Sequence, residues 1–412
     1  MKASVLSFLT MLIASSALLM AMPSSAADYT LGIFGNANMD DTIDEYDIKY
    51  LRGILDGTNE ASELADANYD GVIDENDISQ IEMIVAGEEE ELTIIDSADR
   101  TVTLKCPIES VVALGQSAAE VIQSLGAEDR IVGIEQYTAD KPIYFPELSK
   151  LPIVKSGSEV DYEKVLEIKP DLAIGYQSSA AGWAEKLEPH VKVVGLGYYQ
   201  PKRMSQEVAM LGYILGVPER AYEFIDFYEG YLNTIQKRVS ELPEEERVRV
   251  YLEQNNDYTT SGNGSGTNEL CELAGGVNIA IDLVGSYPVV DPEWVITENP
   301  EVMVKSVNHG NKYAGYEKDS TEDIDELRAS FMNRTGWQMI DAVQNGRVFM
   351  WSDSINTKPS FFVGVTYLAK WLYPDLFEDL DPQAIHQEYL TRFQGLAYDL
   401  DEHGVFVYPE VR

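Results

Sequence analysis

The chain has 412 residues, 45% hydrophobic and 10% aromatic, which suits two or three folded domains and argues against wholesale disorder. With 30 basic against 70 acidic residues the formal net charge is −40, which repels nucleic acid and anionic membrane surfaces and speaks against either as a partner. Cys106 and Cys271 are the only cysteines, so no disulfide framework can be read, and both are expected to be small buried residues.

Lys2 precedes an apolar run, and the small residues Ser25 and Ala27 then suit cleavage before Asp28, as in a secretory signal over residues 1–27. The alternative is an uncleaved anchor, since about 18 apolar residues nearly span a bilayer. No cysteine follows the run, so no lipoprotein anchor is expected, and the chain is read as exported.

Residues 28–87 contain a repeat of period 30: "NANMDDTIDEYDI" starts at Asn36 and "DANYDGVIDENDI" at Asp66. Oxygen-bearing side chains fall at matching loop positions, Asn36, Asn38, Asp40, Asp44 and Asp47 in the first copy and Asp66, Asn68, Asp70, Asp74 and Asp77 in the second. The carbonyls of Thr42 and Val72 complete each set. Calcium, a hard cation, takes roughly 6–8 oxygens, which one short loop of this spacing can supply. A short helix is expected after each loop, stopped by Gly57 and Gly87 in the same register. The pair resembles a dockerin, with Asp instead of Glu at the twelfth loop position and no helix before either loop. That resemblance implies two structural calcium ions and a helix face for a cohesin-like partner. Asp41 departs from it, because the sixth position favours the left-handed backbone that Gly71 adopts freely.

The acidic stretch "GEEEE" then reads as a flexible linker at residues 88–91. Beyond it, short β-rich runs alternate with helical ones, the pattern of an α/β fold with parallel sheets. An N-terminal lobe is expected over 92–202, a helical connector over 203–245 and a C-terminal lobe over 246–412. Within the connector, residues 219–242 carry one apolar stripe, including Tyr222, Ile225, Tyr228, Leu232, Ile235 and Val239. That predicts a rod of about 36 Å. Each lobe also contains the same sentence: "VDYEKVLEIKPDLAI" from Val160 is echoed by "VDPEWVITENPEVMV" from Val290, aligning Asp161 with Asp291, Glu163 with Glu293 and Pro170 with Pro300.

These pieces, with "VVALGQSAAEVIQSLGAEDRIVGI", "ELAGGVNIA" and "GRVFMW", resemble the helical-backbone class of substrate-binding proteins that serve ABC importers of ferric siderophores, haem and cobalamin. The resemblance implies an overall α/β architecture of two Rossmann-like lobes joined by one long helix, preceded by the small all-α calcium module. It implies a non-catalytic protein delivering a metal chelate to permease subunits, docked through Glu163 and Glu293. Ligands of α/β lobes sit beyond the carboxyl ends of the strands. That places Tyr137, Ser156, Gly157, Tyr176, Gln177, Asn255, Asn256, Tyr258, Tyr287, Asn308, His309 and Trp351 near the cleft. A surface assembly protein recruited through the front module is the rival reading. An enzyme of the nitrogenase-like kind would need cysteine ligands that two scattered thiols cannot supply.

Overall fold

The computed structural model describes residues 29–307 and 312–410, so the signal segment, Asn308 and His309 lie outside the described residues. Each acidic loop runs straight into a helix, α1 over Glu45–Leu55 and α2 over Glu75–Ala86. Asp44 and Asp74 cap them, and the carboxylates of Asp47 and Asp77 reach back to the capping residues' N–H groups, giving both helices the same reciprocal start. The two stripes bury Leu51, Ile78, Ile81 and Ile84.

The acidic run that follows is not the flexible linker its composition suggests. The Glu88 N–H closes on the Met83 carbonyl, and β1 (Glu91–Ile95) begins at once, paired antiparallel with β2 (Thr101–Lys105). Alternation decides this: Leu92 and Ile94 are fully buried, and Ile94 bridges Ile33 ahead of the first loop. Leu31, Ile33, Leu92 and Ile94 share one apolar cluster with the connecting helices. Cys106, just past β2, is only partly buried, whereas Cys271 is buried; neither is bonded to the other.

The N-terminal lobe follows as β3 (Val111–Ala113), α3 (Gln116–Ser124), β4 (Ile131–Glu135), α4 (Gln136–Ala139), β5 (Ile153–Ser156), β6 (Glu159–Val160), α5 (Tyr162–Ile168), β7 (Leu172–Gly175), α6 (Gln177–Leu187) and β8 (Lys192–Gly195). Its sheet runs β6-β5-β4-β3-β7-β8, parallel except for the edge strand β6. The connector is two helices, α7 (Pro201–Ile214) and α8 (Pro218–Ser240), where the apolar stripe alone shows one. Gly212 lets them approach, since a Cβ there would lie 2.5 Å from that of Ala221.

The C-terminal lobe comprises β9 (Arg249–Glu253), α9 (Gly266–Leu273), β10 (Val277–Asn278), α10 (Pro292–Glu298), β11 (Val302–Val307), α11 (Glu322–Met332), α12 (Asp341–Gln344), β12 (Val348–Ser352), α13 (Phe361–Leu372), α14 (Pro382–Arg392) and β13 (Val407–Tyr408). The sheet order is β10-β9-β11-β12-β13, with only β13 antiparallel. Among the described residues no helix is long and apolar enough to cross a membrane.

Candidate ligand cleft and calcium loops

The echoed stretches fold alike. In α5 and α10, each seven residues long, Asp161 and Asp291 accept backbone N–H groups of the first turn. Both helices end on a left-handed residue, Lys169 (φ 55) and Asn299 (φ 45), and both lead into a buried parallel strand. Val165 and Val295 point into the two cores, and Glu163 and Glu293 are exposed at the same place on each lobe. A carboxylate in a first helical turn is also favoured by the helix dipole, so its position alone does not assign a role.

A cavity of about 690 Å³ opens at the carboxyl ends of the N-lobe strands. Tyr137, Gly157 and Tyr176 line it, as the strand-end argument expects. Sequence reasoning passed over Lys141, Lys155, Glu135, Trp183, Asp353 and Lys358, which line it too, the last two from the C-terminal lobe. Lys155 and Glu135 stand at the ends of adjacent strands β5 and β4, and their buried ion pair is 2.7 Å long. The same Glu135 carboxylate accepts the Gln116 N–H at the start of α3, where no side chain caps the helix. That anion-binding end is therefore filled from within the protein.

Lys141 is different. Burial and then the Lys358 ammonium push its amine below the ordinary lysine range, while Asp353, Glu120 and Glu317 pull it back up. Neither Lys141 nor Lys358 has a hydrogen-bonded or ion-paired side-chain partner among the described residues.

Other expected cleft residues lie elsewhere. Trp351 is fully buried, donating its indole N–H to Ser306 Oγ at 3.0 Å and packing on Trp371, because a continuously apolar central strand buries both faces. Tyr258 stacks on the Arg334 guanidinium, 4.3 Å away, beside Trp337. Arg334 and Lys305 both pair with the buried Glu253, and the Asn255 carbonyl accepts from Lys305, so this corner is a charge network of the C-lobe itself. Asn256 and Tyr287 are exposed, Ser156 ends β5 on the surface, and Gln177 donates to the Tyr199 hydroxyl at 3.3 Å. None of these lines the cavity.

The front loops share a set of hydrogen bonds. Asn38 N–H donates to Asp47 Oδ1 at 3.1 Å and Asn68 N–H to Asp77 Oδ1 at 3.1 Å. Asp40 N–H donates to Asn36 and Asn38 Oδ1, and Asp70 N–H does the same to Asp66 and Asn68. The Thr42 and Val72 amides donate to Asp40 and Asp70. Gly71 takes φ 90, but the strain expected at Asp41 is absent, since the left-handed residues are Met39 and Tyr69. Asp47 and Asp77 are fully buried, and burial pushes the Asp47 carboxyl up to about 7. The donors are all oxygens, as a hard cation requires. In this structure they are turned onto backbone N–H groups, and among the described residues no three His, Cys, Asp or Glu side chains gather as a metal group.

Residues 111–354, more than half of the chain, match the family model described as periplasmic binding protein. The chain belongs to that family. A similar relative is an uncharacterized ABC transporter substrate-binding lipoprotein of Bacillus subtilis, 27% identical over 70% of this chain and 87% of its own. A vitamin B12-binding protein of Vibrio cholerae is 22% identical over 58% of this chain and 87% of its own. The solved TroA-like periplasmic binding protein FepB of Veillonella parvula superposes with a TM-score of 0.67 at 24% identity, covering 76% of this chain and 98% of its own. Membership makes the protein a substrate-binding component of ABC transporters, and its relatives are non-enzymatic solute-binding proteins. The matched segment starts at β3, so the hairpin and the paired acidic loops precede it.

Proposed function

We propose that this periplasmic binding protein carries a metal chelate, a ferric siderophore, haem or cobalamin, to an ABC importer. The observation that carries this reading is the interlobe cavity: at about 690 Å³ it falls in the range that encloses a drug-sized ligand, and a bare ion would leave most of it empty. Glu163 and Glu293, exposed at equivalent places, are the groups that dock the loaded protein on arginines of the permease subunits.

The front module is read as dockerin-like, with two structural calcium ions. Asn36, Asn38, Asp40, Asp44 and Asp47 with the Thr42 carbonyl would hold one; Asp66, Asn68, Asp70, Asp74 and Asp77 with the Val72 carbonyl would hold the other. The ion supplies positive charge that relieves repulsion among crowded carboxylates. Its exposed apolar residues, Tyr46, Tyr69, Val72 and Val85, are the surface offered to a cohesin-like partner. Calcium-dependent co-purification of an envelope protein tests that part.

The main test is a tryptophan-fluorescence titration of residues 28–412 in calcium, with Trp183 as reporter in the cavity. Saturable binding of one of cobalamin, haem or a ferric siderophore is expected. Charge reversal at Glu163 and Glu293 should then abolish uptake while leaving that affinity unchanged. A folded protein that responds to none of these chelates refutes the reading.

A further inference from the structure

The lysines at the cavity carry an inference that rests on the chelate reading and narrows it. The cavity draws Lys155 from the N-lobe sheet, Lys141 from the segment after α4, and Lys358 from the segment between β12 and α13 of the other lobe. Lys155 is neutralised by Glu135. Lys141 and Lys358 are not neutralised in this way: both are half-buried, and no carboxylate stands within 4.0 Å of either amine among the described residues. Each therefore carries an ammonium group into a partly desolvated space that the two lobes share.

The surrounding acids do not close the gap. Glu120 is buried, and its Oε1 is taken by the hydroxyls of Tyr144 and Tyr389, each at 2.9 Å. Asp353 already has a partner of its own. Glu317 acts on Lys141 only from beyond ion-pair distance. In a protein with 70 acidic residues, two part-buried ammonium groups lining one cavity without a close counter-ion form an arrangement that a bound anion would complete.

We propose that Lys141 and Lys358 together clasp an anionic edge of the chelate, so that the cargo is negatively charged and bridges the lobes by its own oxygens. The class is a ferric complex with catecholate or carboxylate oxygens at its periphery. Aromatic walls from Tyr137, Tyr176 and Trp183 then cover its apolar faces. The lobes close because the bound anion removes the repulsion between the ammonium groups and gives each a charge-assisted hydrogen bond. A chelate without negative charge would leave both lysines unpaired and would bind more weakly for that reason.

The experiment measures affinity of the full exported chain, in calcium, for four probes: iron(III) tris(catecholate), iron(III) citrate, a neutral iron(III) trihydroxamate and cyanocobalamin. It is repeated with Lys141→Gln, Lys358→Gln, the double variant and Lys141→Arg, each checked for an unchanged melting curve. One of the two anionic complexes should bind saturably, and the pair distinguishes catecholate from carboxylate oxygens. Each single Gln variant should weaken that complex about tenfold and the double variant about a hundredfold, with Lys141→Arg largely restoring affinity. A neutral probe that binds with affinity indifferent to both lysines overturns this inference and leaves the chelate reading standing. An anionic probe that binds equally well to the double variant also overturns it. Binding of none of the four, with haem also failing in the fluorescence titration above, refutes the chelate reading, and this inference falls with it.

Discussion

The two lobes are stitched together behind the cleft by a buried polar knot, and removing one hydroxyl from it should be costly. Glu120 on α3 is almost fully buried, and its Oε1 accepts the hydroxyls of Tyr144 and Tyr389, both at 2.9 Å. Tyr389 lies on α14 of the other lobe and in turn accepts from Gln394 Nε2 at 2.8 Å. Gln394 also reaches Ser124 Oγ, and Gln123 donates to its carbonyl. Burial pushes the Glu120 carboxyl above the usual range, and the Tyr389 and Tyr144 hydroxyls pull it back down. Tyr389→Phe removes a donor to a buried carboxylate, worth about 2 kcal/mol when that carboxylate is ionised. A carboxyl whose folded pKa is raised adds stability below its unfolded pKa and loses it as pH rises through the folded value. The variant raises the folded pKa further, so the destabilisation is greatest at neutral pH and shrinks on acidification. Urea denaturation of wild type and variant at pH 7 and pH 5 measures both effects. A loss at pH 7 under about 0.5 kcal/mol, or a loss that grows toward pH 5, would refute the account of the knot.

Three further outcomes follow from the packing. His386 is buried, bonded to the Tyr316 hydroxyl at 2.9 Å, and burial holds its imidazole down at about 3. It stays neutral in the fold and protonates only when unfolded, so its stabilisation is present above about pH 6.5 and fades as pH falls, by about 2 kcal/mol at pH 5. The difference in stability between wild type and His386→Gln should change by that amount between pH 7 and pH 5, and a pH-independent difference sinks the assignment. Tyr213→Phe leaves the Ile43 N–H, 2.9 Å from that hydroxyl, without its acceptor, costing about 1–3 kcal/mol. Limited proteolysis should then cut faster between α2 and β1 than in wild type; equal rates would count against a docked module. Gly364→Ala would set a Cβ 2.3 Å from the Ile355 carbonyl oxygen, and a melting curve should show a loss of about 3 kcal/mol, whereas an unchanged melt would mean that the backbone there yields freely.

The two lobes were legible because their information is local and repeated. The echoed stretch names its own cap, helix, proline and strand twice, and both copies fold with the aspartate capping the first turn, through Lys164 N–H in one and Glu293 N–H in the other, and with the same left-handed ends. The front loops were legible for the same reason, down to matched backbone hydrogen bonds. The cavity was much less so. Tyr137, Gly157 and Tyr176 follow strand ends, and strand ends can be counted along the chain. Lys141 and Lys358 stand on irregular segments of different lobes, and nothing in either neighbourhood states that the other is near. Trp351 went astray because a strand end and a strand buried on both faces look alike in six letters, and the side chain that packs on it, Trp371, comes only with the helix α13 that follows.

The position of the front module bears on what it can do. Loop one is gripped by the connector: Ile43 N–H donates to Tyr213 of α7, and Tyr222 of α8 donates to the Asp41 carbonyl at 2.7 Å. Gln206 adds a bond to the Thr30 carbonyl at 2.8 Å. A module held by both helices of the strut is not a bead on a string. Whatever orders loop one is mechanically joined to the element that sets the distance between the lobes. Loop two makes no such bonds among the described residues, and Tyr69, Asp70, Gly71 and Val72 face outward. The two loops, alike in sequence, are therefore placed differently: the first is bonded to the connector, and the second turns Tyr69 and Val72 outward.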